Sequence, residues 1–280
     1  MKLAVGCVAD TPKQYRAQAL RLLRSWRWFA GRFANADFHL CLIGDVDDMH
    51  GALYGELGAR VHAVDGFADR HPTSNKLRFF EIDEIMQADR ILLLDCDTVV
   101  VREPSELFEG EGLTAKIVDV ATVSLEVFAR VFAHFGIRMP PAIHHCTVTG
   151  EAMIPYFNSG VISFSRQAAL RVAPEWRRLN GELTGIFEQL GGTPHFCEQA
   201  SLSVALAATG TEYRIVGNEL NFPAHFRDHN LDSDLAQVDP AIIHYHHLVD
   251  DHGLLVPSPY PHVNRRIGAF NRRLLTVLGN

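Results

Sequence analysis

The feature that most constrains this sequence is a pair of aspartates directly after a short aliphatic run. Asp95 and Asp97 follow the run Ile-Leu-Leu-Leu at 91–94, and a second apolar run at 98–101 follows them. Such runs are typical of a buried strand, and a carboxylate buried beside one is strongly unfavourable without a positive partner. Residues i and i+2 of an extended chain share one side. The pair therefore predicts a hard cation, Mg²⁺ or Mn²⁺, that also binds phosphate oxygens; an ordinary Asp-containing turn is the alternative.

Strand-like and helix-like segments alternate through the first third of the chain. Short apolar runs predict strands at 3–9, 38–43, 59–64 and 91–94, and longer patterns predict helices at 13–33 and 75–86. This alternation indicates an α/β fold with a mostly parallel sheet flanked by helices. Such sheets bind ligands at the carboxyl ends of their strands, where Asp10, Asp45 and the Asp95/Asp97 pair lie. No linker interrupts the pattern, so we expect one domain over 1–280.

Composition excludes several classes of protein. The formal net charge of −7 over 280 residues argues against nucleic acid as a partner. The five cysteines are an odd number and widely spaced, which indicates reduced thiols and a cytoplasmic protein rather than a disulfide framework. No apolar run reaches the roughly 18 residues of a transmembrane helix, so we expect no membrane span.

Three later segments carry polar residues suited to a sugar or phosphate ligand. Asn158 and Gly160 precede an alternating strand; the amide both donates and accepts hydrogen bonds, and glycine lets a ligand approach the backbone. Glu198 and Gln199 begin a predicted helix, and His244 ends a late strand, where a neutral imidazole can bind an ion. The alternatives are a β-bulge, a helix cap and a structural histidine, respectively.

The order of these four segments resembles glycosyltransferase family 8 and its relatives of the GT-A fold, such as glycogenin, galactinol synthase and lipopolysaccharide galactosyltransferases. The resemblance extends from the first strand to about residue 248 and implies a single GT-A-type, Rossmann-like domain. It implies a nucleotide-binding half at 1–101, a half for acceptor and donor sugar at 102–248, and a tail helix within 249–280. The implied reaction moves a sugar from a UDP-sugar to a hydroxyl of a glycan, lipid-linked or small-molecule acceptor, with retention of anomeric configuration.

The resemblance also implies roles for individual residues. Asp95, Asp97 and His244 would bind Mn²⁺ or Mg²⁺, which would bridge the donor diphosphate. Asn158, Glu198 and Gln199 would contact the donor sugar or lie beside its reacting carbon. The remaining donor-binding positions would be Ala9, Asp10 and Thr11 at uracil and ribose, Lys76 or Arg78 at phosphate, and Cys96 and Gly160 within their motifs.

The sequence departs from the family pattern at two places. Glu198 stands where the family usually has Asp, and Leu248–Gly253 replaces a Lys-Pro-Trp segment. The lysine of that segment donates to phosphate in relatives, so its absence bears on the donor and on turnover. His247 or His252 could partly substitute for it.

The sequence also fits other functions. Residues 95–99 also fit the nucleophile motif of haloacid-dehalogenase phosphohydrolases, although that motif normally follows the first strand. A non-catalytic nucleotide-sugar-binding module would explain the missing lysine. A separate zinc site built from 144–146, or from His244, His246 and His247, is a further alternative, although these clusters lack the paired short spacings of structural zinc sites.

The C-terminal segment 264–278 is predicted to form a basic amphipathic helix. Its arginines lie opposite Ile267, Phe270, Leu274 and Leu278. Packing of the apolar side on the domain is one expectation, and weak peripheral contact with an anionic membrane that carries a lipid-linked acceptor is the other.

Overall fold

Twelve strands and seven α-helices form the described part of the chain, which in this computed structural model comprises residues 1–46, 48–67, 71–226 and 234–279. The strands are β1 (Leu3–Ala9), β2 (Asp37–Ile43), β3 (Ala59–Val64), β4 (Arg90–Leu94), β5 (Thr98–Val100), β6 (Leu113–Ile117), β7 (His144–His145), β8 (Ala152–Met153), β9 (Phe157–Ser165), β10 (Tyr213–Ile215), β11 (Phe222–Pro223) and β12 (Ile242–His244). The α-helices are α1 (Lys13–Phe29), α2 (Asp48–Glu56), α3 (Asp83–Met86), α4 (Leu125–His134), α5 (Arg166–Leu183), α6 (Cys197–Thr209) and α7 (Pro261–Leu278). Short 3-10 helices cover Gly31–Phe33, Pro72–Glu81, Ser105–Phe108, Pro194–Phe196, Asn218–Leu220 and Asp234–Gln237.

A seven-stranded sheet in the order β10-β6-β9-β4-β1-β2-β3 forms the centre of the molecule. Four of its six neighbouring pairs are parallel, and only β9 runs antiparallel to both of its neighbours. Helices cover both faces. This arrangement confirms the predicted α/β fold with a mostly parallel sheet.

The antiparallel direction of β9 brings two distant motifs to one edge of the sheet. In an antiparallel pair, one strand begins beside the end of the other. Leu94 at the end of β4 accordingly lies opposite Val161 near the start of β9. The amide of Asp95 donates to the carbonyl of Gly160 at 2.8 Å. The Asn158–Gly160 segment therefore lies beside the Asp95/Asp97 pair at the carboxyl edge.

Two hydrophobic cores separate the sheet from its helices. Successive residues of β4 point to opposite faces, so that Leu92 packs with Trp26 of α1 and Leu93 packs with Trp176 of α5. Burial of each such side chain contributes about 1.5–3 kcal/mol. The indole of Trp176 also donates to the carbonyl of Glu198 at 3.0 Å, which fixes the first turn of α6 against α5.

The helix predicted at 75–86 differs from the structure. A 3-10 helix covers Pro72–Glu81, and α3 follows after the extended residue Ile82. The four consecutive residues 74–77 are all buried, because this segment forms part of the wall of a cavity at the sheet edge. An amphipathic α-helix exposes one side to solvent, so tertiary contacts override the local pattern here.

A second, three-stranded sheet and α7 complete the structure. The sheet has the order β11-β12-β5, with β12 antiparallel to β5. Val263, Ile267 and Phe270 of α7 pack against it, and the Arg273 guanidinium lies over the ring of Trp28. Packing on the domain is thus what α7 does, while contact with a membrane stays a prediction. Among the described residues, no helix is both long and apolar enough to cross a membrane.

Candidate active site

A cavity of about 470 Å³ opens at the carboxyl edge of the central sheet. This volume is within the range of pockets that hold small-molecule ligands. The predicted site residues that line it are Asp10, Lys76, Asp95, Cys96, Asp97, Asn158, Glu198, Gln199 and His244. Residues from six separate segments of the sequence therefore meet at one site.

Lys76 is the centre of a buried charge cluster in this cavity. Its ammonium lies 2.7 Å from Asp95 Oδ1 and 3.4 Å from Glu198 Oε2, and it donates to Ser159 Oγ at 3.0 Å. The Ser159 hydroxyl in turn donates to Glu198 Oε2 at 2.9 Å. One cation thus bridges the first aspartate of the pair and the glutamate that begins α6.

Burial and charge set the protonation of this cluster in opposite directions. Burial alone would lower the pKa of Lys76, but the nearby carboxylates of Asp95 and Glu198 outweigh it and raise that pKa above its ordinary value. Burial raises the pKa of Glu198 to about 7, with Asp95 adding to the effect and Lys76 opposing it. Lys76 therefore stays charged, and together with the Ser159 hydroxyl it opposes protonation of Glu198.

A second cluster joins Asp97 to two histidines. His244 Nε2 lies 3.1 Å from Asp97 Oδ1, and His246 Nδ1 lies 3.6 Å from Asp97 Oδ2. The backbone explains the contact, since β12 pairs His244 with Thr98 and the amide of Tyr245 donates to the carbonyl of Asp97 at 3.0 Å. Possible ligand atoms from Asp97, His244 and His246 all lie within 4.8 Å of one another. Asp95 is not part of this cluster among the described residues, because it faces Lys76.

The charges in this cluster support one another. Burial disfavours the charged form of Asp97, but the neighbouring His244 outweighs burial and lowers the pKa of Asp97. Burial also opposes protonation of His244, and Asp97 reverses that effect and raises the pKa of His244. The cluster therefore combines an ionised carboxylate with two imidazoles, and a divalent cation bound here would take the place of the His244 proton.

Asn158 is oriented by an acidic residue that the sequence motifs did not include. Its amide nitrogen donates to Asp119 Oδ2 at 3.1 Å, and its oxygen accepts from the amide of Gly160 at 3.0 Å. Asp119 is itself held by Lys116, whose ammonium lies 2.5 Å from Oδ1. Because Asp119 orients the amide, Asn158 presents a fixed group to the cavity.

Gly160 has a structural reason to be glycine that the sequence did not indicate. A side chain at this position would lie 2.4 Å from Cε1 of His244. The glycine therefore admits the imidazole ring of His244, and close approach of a ligand to the backbone stays a prediction.

The remaining predicted donor-binding residues divide into two groups. Asp10 lines the cavity and accepts from the amide of Thr11 at 2.8 Å. Ala9, Thr11 and Arg78 do not line it. Arg78 instead donates to the carbonyl of Asp65 at 3.0 Å, so of the two basic candidates it is Lys76 that belongs to the site.

Asp119 and His225 line the cavity but were not among the predicted site residues, and His246 was considered only as part of a zinc site. Asp119 follows the apolar strand β6 as Asp95 follows β4, so the same strand-end signal could have found it. His225 and His246 stand in loops without such a signal, although their rings lie 4.2 Å apart.

The sequence matches a family model over residues 6–210, that of the Rhodobacterales glycosyltransferase domain. The chain belongs to this family. It is a glycosyltransferase, and the predicted resemblance to family 8-like enzymes is confirmed. No curated protein is significantly similar to the sequence.

Solved structures of glycosyltransferases share this fold. The galactosyltransferase LgtC, solved in complex with donor and acceptor sugar analogues, is 18% identical, with a TM-score of 0.59 over 96% of this chain and 95% of LgtC. The glycosyltransferase GlyE of Streptococcus pneumoniae TIGR4 is 16% identical, with a TM-score of 0.58 over 98% of this chain and 64% of GlyE. Mouse xyloside xylosyltransferase 1 is 15% identical, with a TM-score of 0.51 over 87% of this chain and 97% of that enzyme. The GT-A-type fold predicted from the sequence is therefore confirmed.

Proposed function

We propose that this glycosyltransferase moves a sugar from a UDP-sugar to a hydroxyl acceptor and uses a divalent cation, Mn²⁺ or Mg²⁺, to do so. The observation that carries the proposal is the contact of Asp97 with His244 inside the cavity, at 3.1 Å between Oδ1 and Nε2. These residues are 147 positions apart in sequence, so their meeting in a cavity lined by acidic and amide side chains supports a ligand site.

The donor atoms of this cluster fit a divalent cation. Asp97 offers a carboxylate, and the imidazole of His244 directs Nε2 toward it, 3.1 Å from Oδ1. Asp97 and His244 would hold the ion, and Asp95 would support the site through its ion pair with Lys76. A bound cation would act as a Lewis acid and stabilise the charge that develops on the departing diphosphate.

The other lining residues would orient the donor sugar. Asn158 is fixed by Asp119 and Gly160, and Gln199 lines the cavity beside Glu198. Glu198 is held between Ser159 and Lys76, so we assign it a positioning role. Amide groups fixed in place stabilise a transition state without reorganisation. We propose retention of anomeric configuration, which NMR of the first product formed would test.

The phosphohydrolase alternative is not favoured. It requires Asp95 as a free nucleophile, whereas Asp95 Oδ1 forms an ion pair with Lys76 at 2.7 Å. The motif also follows β4 rather than a first strand. Membership in a glycosyltransferase family argues against it as well.

Asp97→Asn tests the proposal, because the amide keeps the shape of the side chain and removes its charge. We expect release of UDP from UDP-sugars in the presence of Mn²⁺ to fall by about 100-fold or more, the loss typical of a main electrostatic contact to the transition state. Steady-state UDP release measures this, and circular dichroism monitors the fold.

Asp251→Asn is the matched control, since this aspartate is exposed in the tail. It should leave UDP release unchanged. Full metal-dependent turnover by Asp97→Asn would refute the assignment of the cation site.

A further inference from the structure

His246 lies beside Asp97 and His244, the two proposed ligands of the cation, although it follows the end of β12 and is not one of that pair. Its ring stacks on that of His244, with centroids 4.0 Å apart and an angle of 18° between the planes. Its Nδ1 lies 3.6 Å from Asp97 Oδ2, on the carboxylate oxygen that His244 leaves free. The two imidazoles thus approach the two oxygens of one carboxylate.

The backbone of His246 is held in an unfavourable conformation. Its φ is 53°, and it is the single non-glycine residue with positive φ in the described part of the chain. Such a conformation costs about 1–3 kcal/mol and is concentrated at functional sites. The carbonyl of His246 accepts from Gln18 Nε2 at 3.3 Å, and the adjacent Tyr245 amide donates to Asp97. The surrounding contacts therefore impose the conformation that turns the imidazole toward Asp97.

The nitrogens that face Asp97 are the ones available to a cation. They are Nε2 of His244 and Nδ1 of His246, and a ligand atom from each of the three residues lies within 4.8 Å of the others. The opposite nitrogens, His244 Nδ1 and His246 Nε2, are buried without a hydrogen-bond partner among the described residues.

The ion pair of Asp95 with Lys76 bears on which residue supplies the third protein ligand of the cation. Its Oδ1 lies 2.7 Å from the ammonium of Lys76, which is itself buried. A cation on the Lys76 side of the pair would face a positive charge, whereas the opposite side, formed by Asp97, His244 and His246, brings its ligand atoms within 4.8 Å of one another.

We propose that His246 is a third protein ligand of the cation, so that one carboxylate and two imidazoles bind it; this inference rests on the cation-dependent function proposed above. A ligand set of two nitrogens and one oxygen prefers different metals from a set made of oxygen atoms alone. Magnesium favours oxygen ligands, while imidazole suits first-row transition metals, whose affinity rises from Mn²⁺ to Co²⁺. The site therefore binds Co²⁺ more tightly than Mn²⁺ and Mn²⁺ more tightly than Mg²⁺.

Calorimetric titration of the full chain with each of these three chloride salts, without nucleotide, tests the inference. His246→Asn is the first variant, since asparagine tolerates positive φ. We expect its affinity for Co²⁺ and Mn²⁺ to fall by about 10–100-fold, as for disturbed metal sites, with little change for Mg²⁺. His246→Gly, which adopts the same backbone freely, should behave alike, and the visible absorption bands of bound Co²⁺ should change in both.

His247→Ala is the matched control, because His247 is exposed one position further along. It should bind all three metals as the wild type does. If both His246 variants keep wild-type Co²⁺ affinity while Asp97→Asn loses it, His246 is not a ligand and the proposed function stands. If the wild type binds none of the cations, both proposals are overturned.

Discussion

At the scale of single residues, the charge of Lys76 holds the site together. Its ammonium contacts Asp95 and Glu198, and the Glu198 side chain is 1% exposed. Two carboxylates that share a buried site repel each other, and one of them then takes up a proton. Lys76 lies between the two carboxylates and offsets their repulsion. The sequence predicted a positive partner for Asp95, in the form of a divalent cation, and the positive group beside Asp95 in the structure is the Lys76 ammonium.

Lys76→Met should destabilise the protein through the carboxylates it leaves behind. Removal of one partner from a buried ion pair costs about 3–5 kcal/mol, and we expect a decrease of this size in the free energy of unfolding at pH 8. Urea denaturation monitored by tryptophan fluorescence measures it. Lys13→Met, at an exposed lysine, should change stability by no more than about 0.5 kcal/mol.

A second substitution separates charge from packing. Glu198→Gln removes one of the two orphaned carboxylates, so the double variant Lys76→Met/Glu198→Gln should regain part of the lost stability. A Lys76→Met variant as stable as the wild type, or a double variant less stable than the single one, would contradict the role of Lys76 as counter-ion.

At the scale of elements, the site depends on strand ends that meet. The sequence predicted that Asp95 and Asp97 follow a buried strand and that His244 ends another, and the pairing of β12 with β5 brings them together. These positions were predictable because an apolar run that stops at a polar residue is a local pattern in the sequence. No local pattern indicates the antiparallel direction of β9, although this direction brings Asn158 to the same edge.

Other parts of the site lack a local signal for physical reasons. Lys76 belongs to a segment that is buried on consecutive residues rather than on one side, so helical periodicity misrepresents it. His246 acquires its place through a positive φ that the surrounding contacts impose. The sequence named both residues as candidates, but only the three-dimensional arrangement shows what each of them contacts.

Gly160→Ala tests how closely β9 and β12 approach each other. The new methyl group would lie 2.4 Å from His244 Cε1, so the ring must move away from Asp97. Overpacking of this kind costs about 1–3 kcal/mol, and we expect lower Mn²⁺ affinity in addition to lower stability. Calorimetric titration and urea denaturation measure the two effects. Gly181→Ala is the control, because this glycine lies on an exposed turn of α5 with no atom near the added carbon. It should leave Mn²⁺ affinity unchanged. If Gly160→Ala also leaves Mn²⁺ affinity unchanged, the close contact between Gly160 and His244 is refuted.

At the scale of the whole molecule, stability should depend on pH through a buried histidine far along the sheet from the cation cluster. His39 of β2 is 1% exposed, and its Nδ1 lies 3.0 Å from Nε2 of His62. Burial, with smaller contributions from His62 and Arg60, lowers the pKa of His39 to about 4, against about 6.5 in an unfolded chain. Between these values the unfolded state binds more protons than the folded state, so stability decreases as pH falls.

His39→Gln should therefore flatten the dependence of stability on pH. The difference between the two pKa values corresponds to about 3 kcal/mol, which the wild type loses between pH 7 and pH 4 through this residue. The pKa values of His225 and His246 are lowered as well. The wild type therefore loses more stability in total than His39 alone accounts for, and the variant should still lose the part that is due to these two histidines. Urea denaturation at intervals from pH 7 to pH 4, with a chelator present, gives the free energy of unfolding for each protein. His252→Gln, at an exposed histidine, should follow the wild-type curve, and a His39→Gln curve parallel to it would show that His39 is protonated alike in both states.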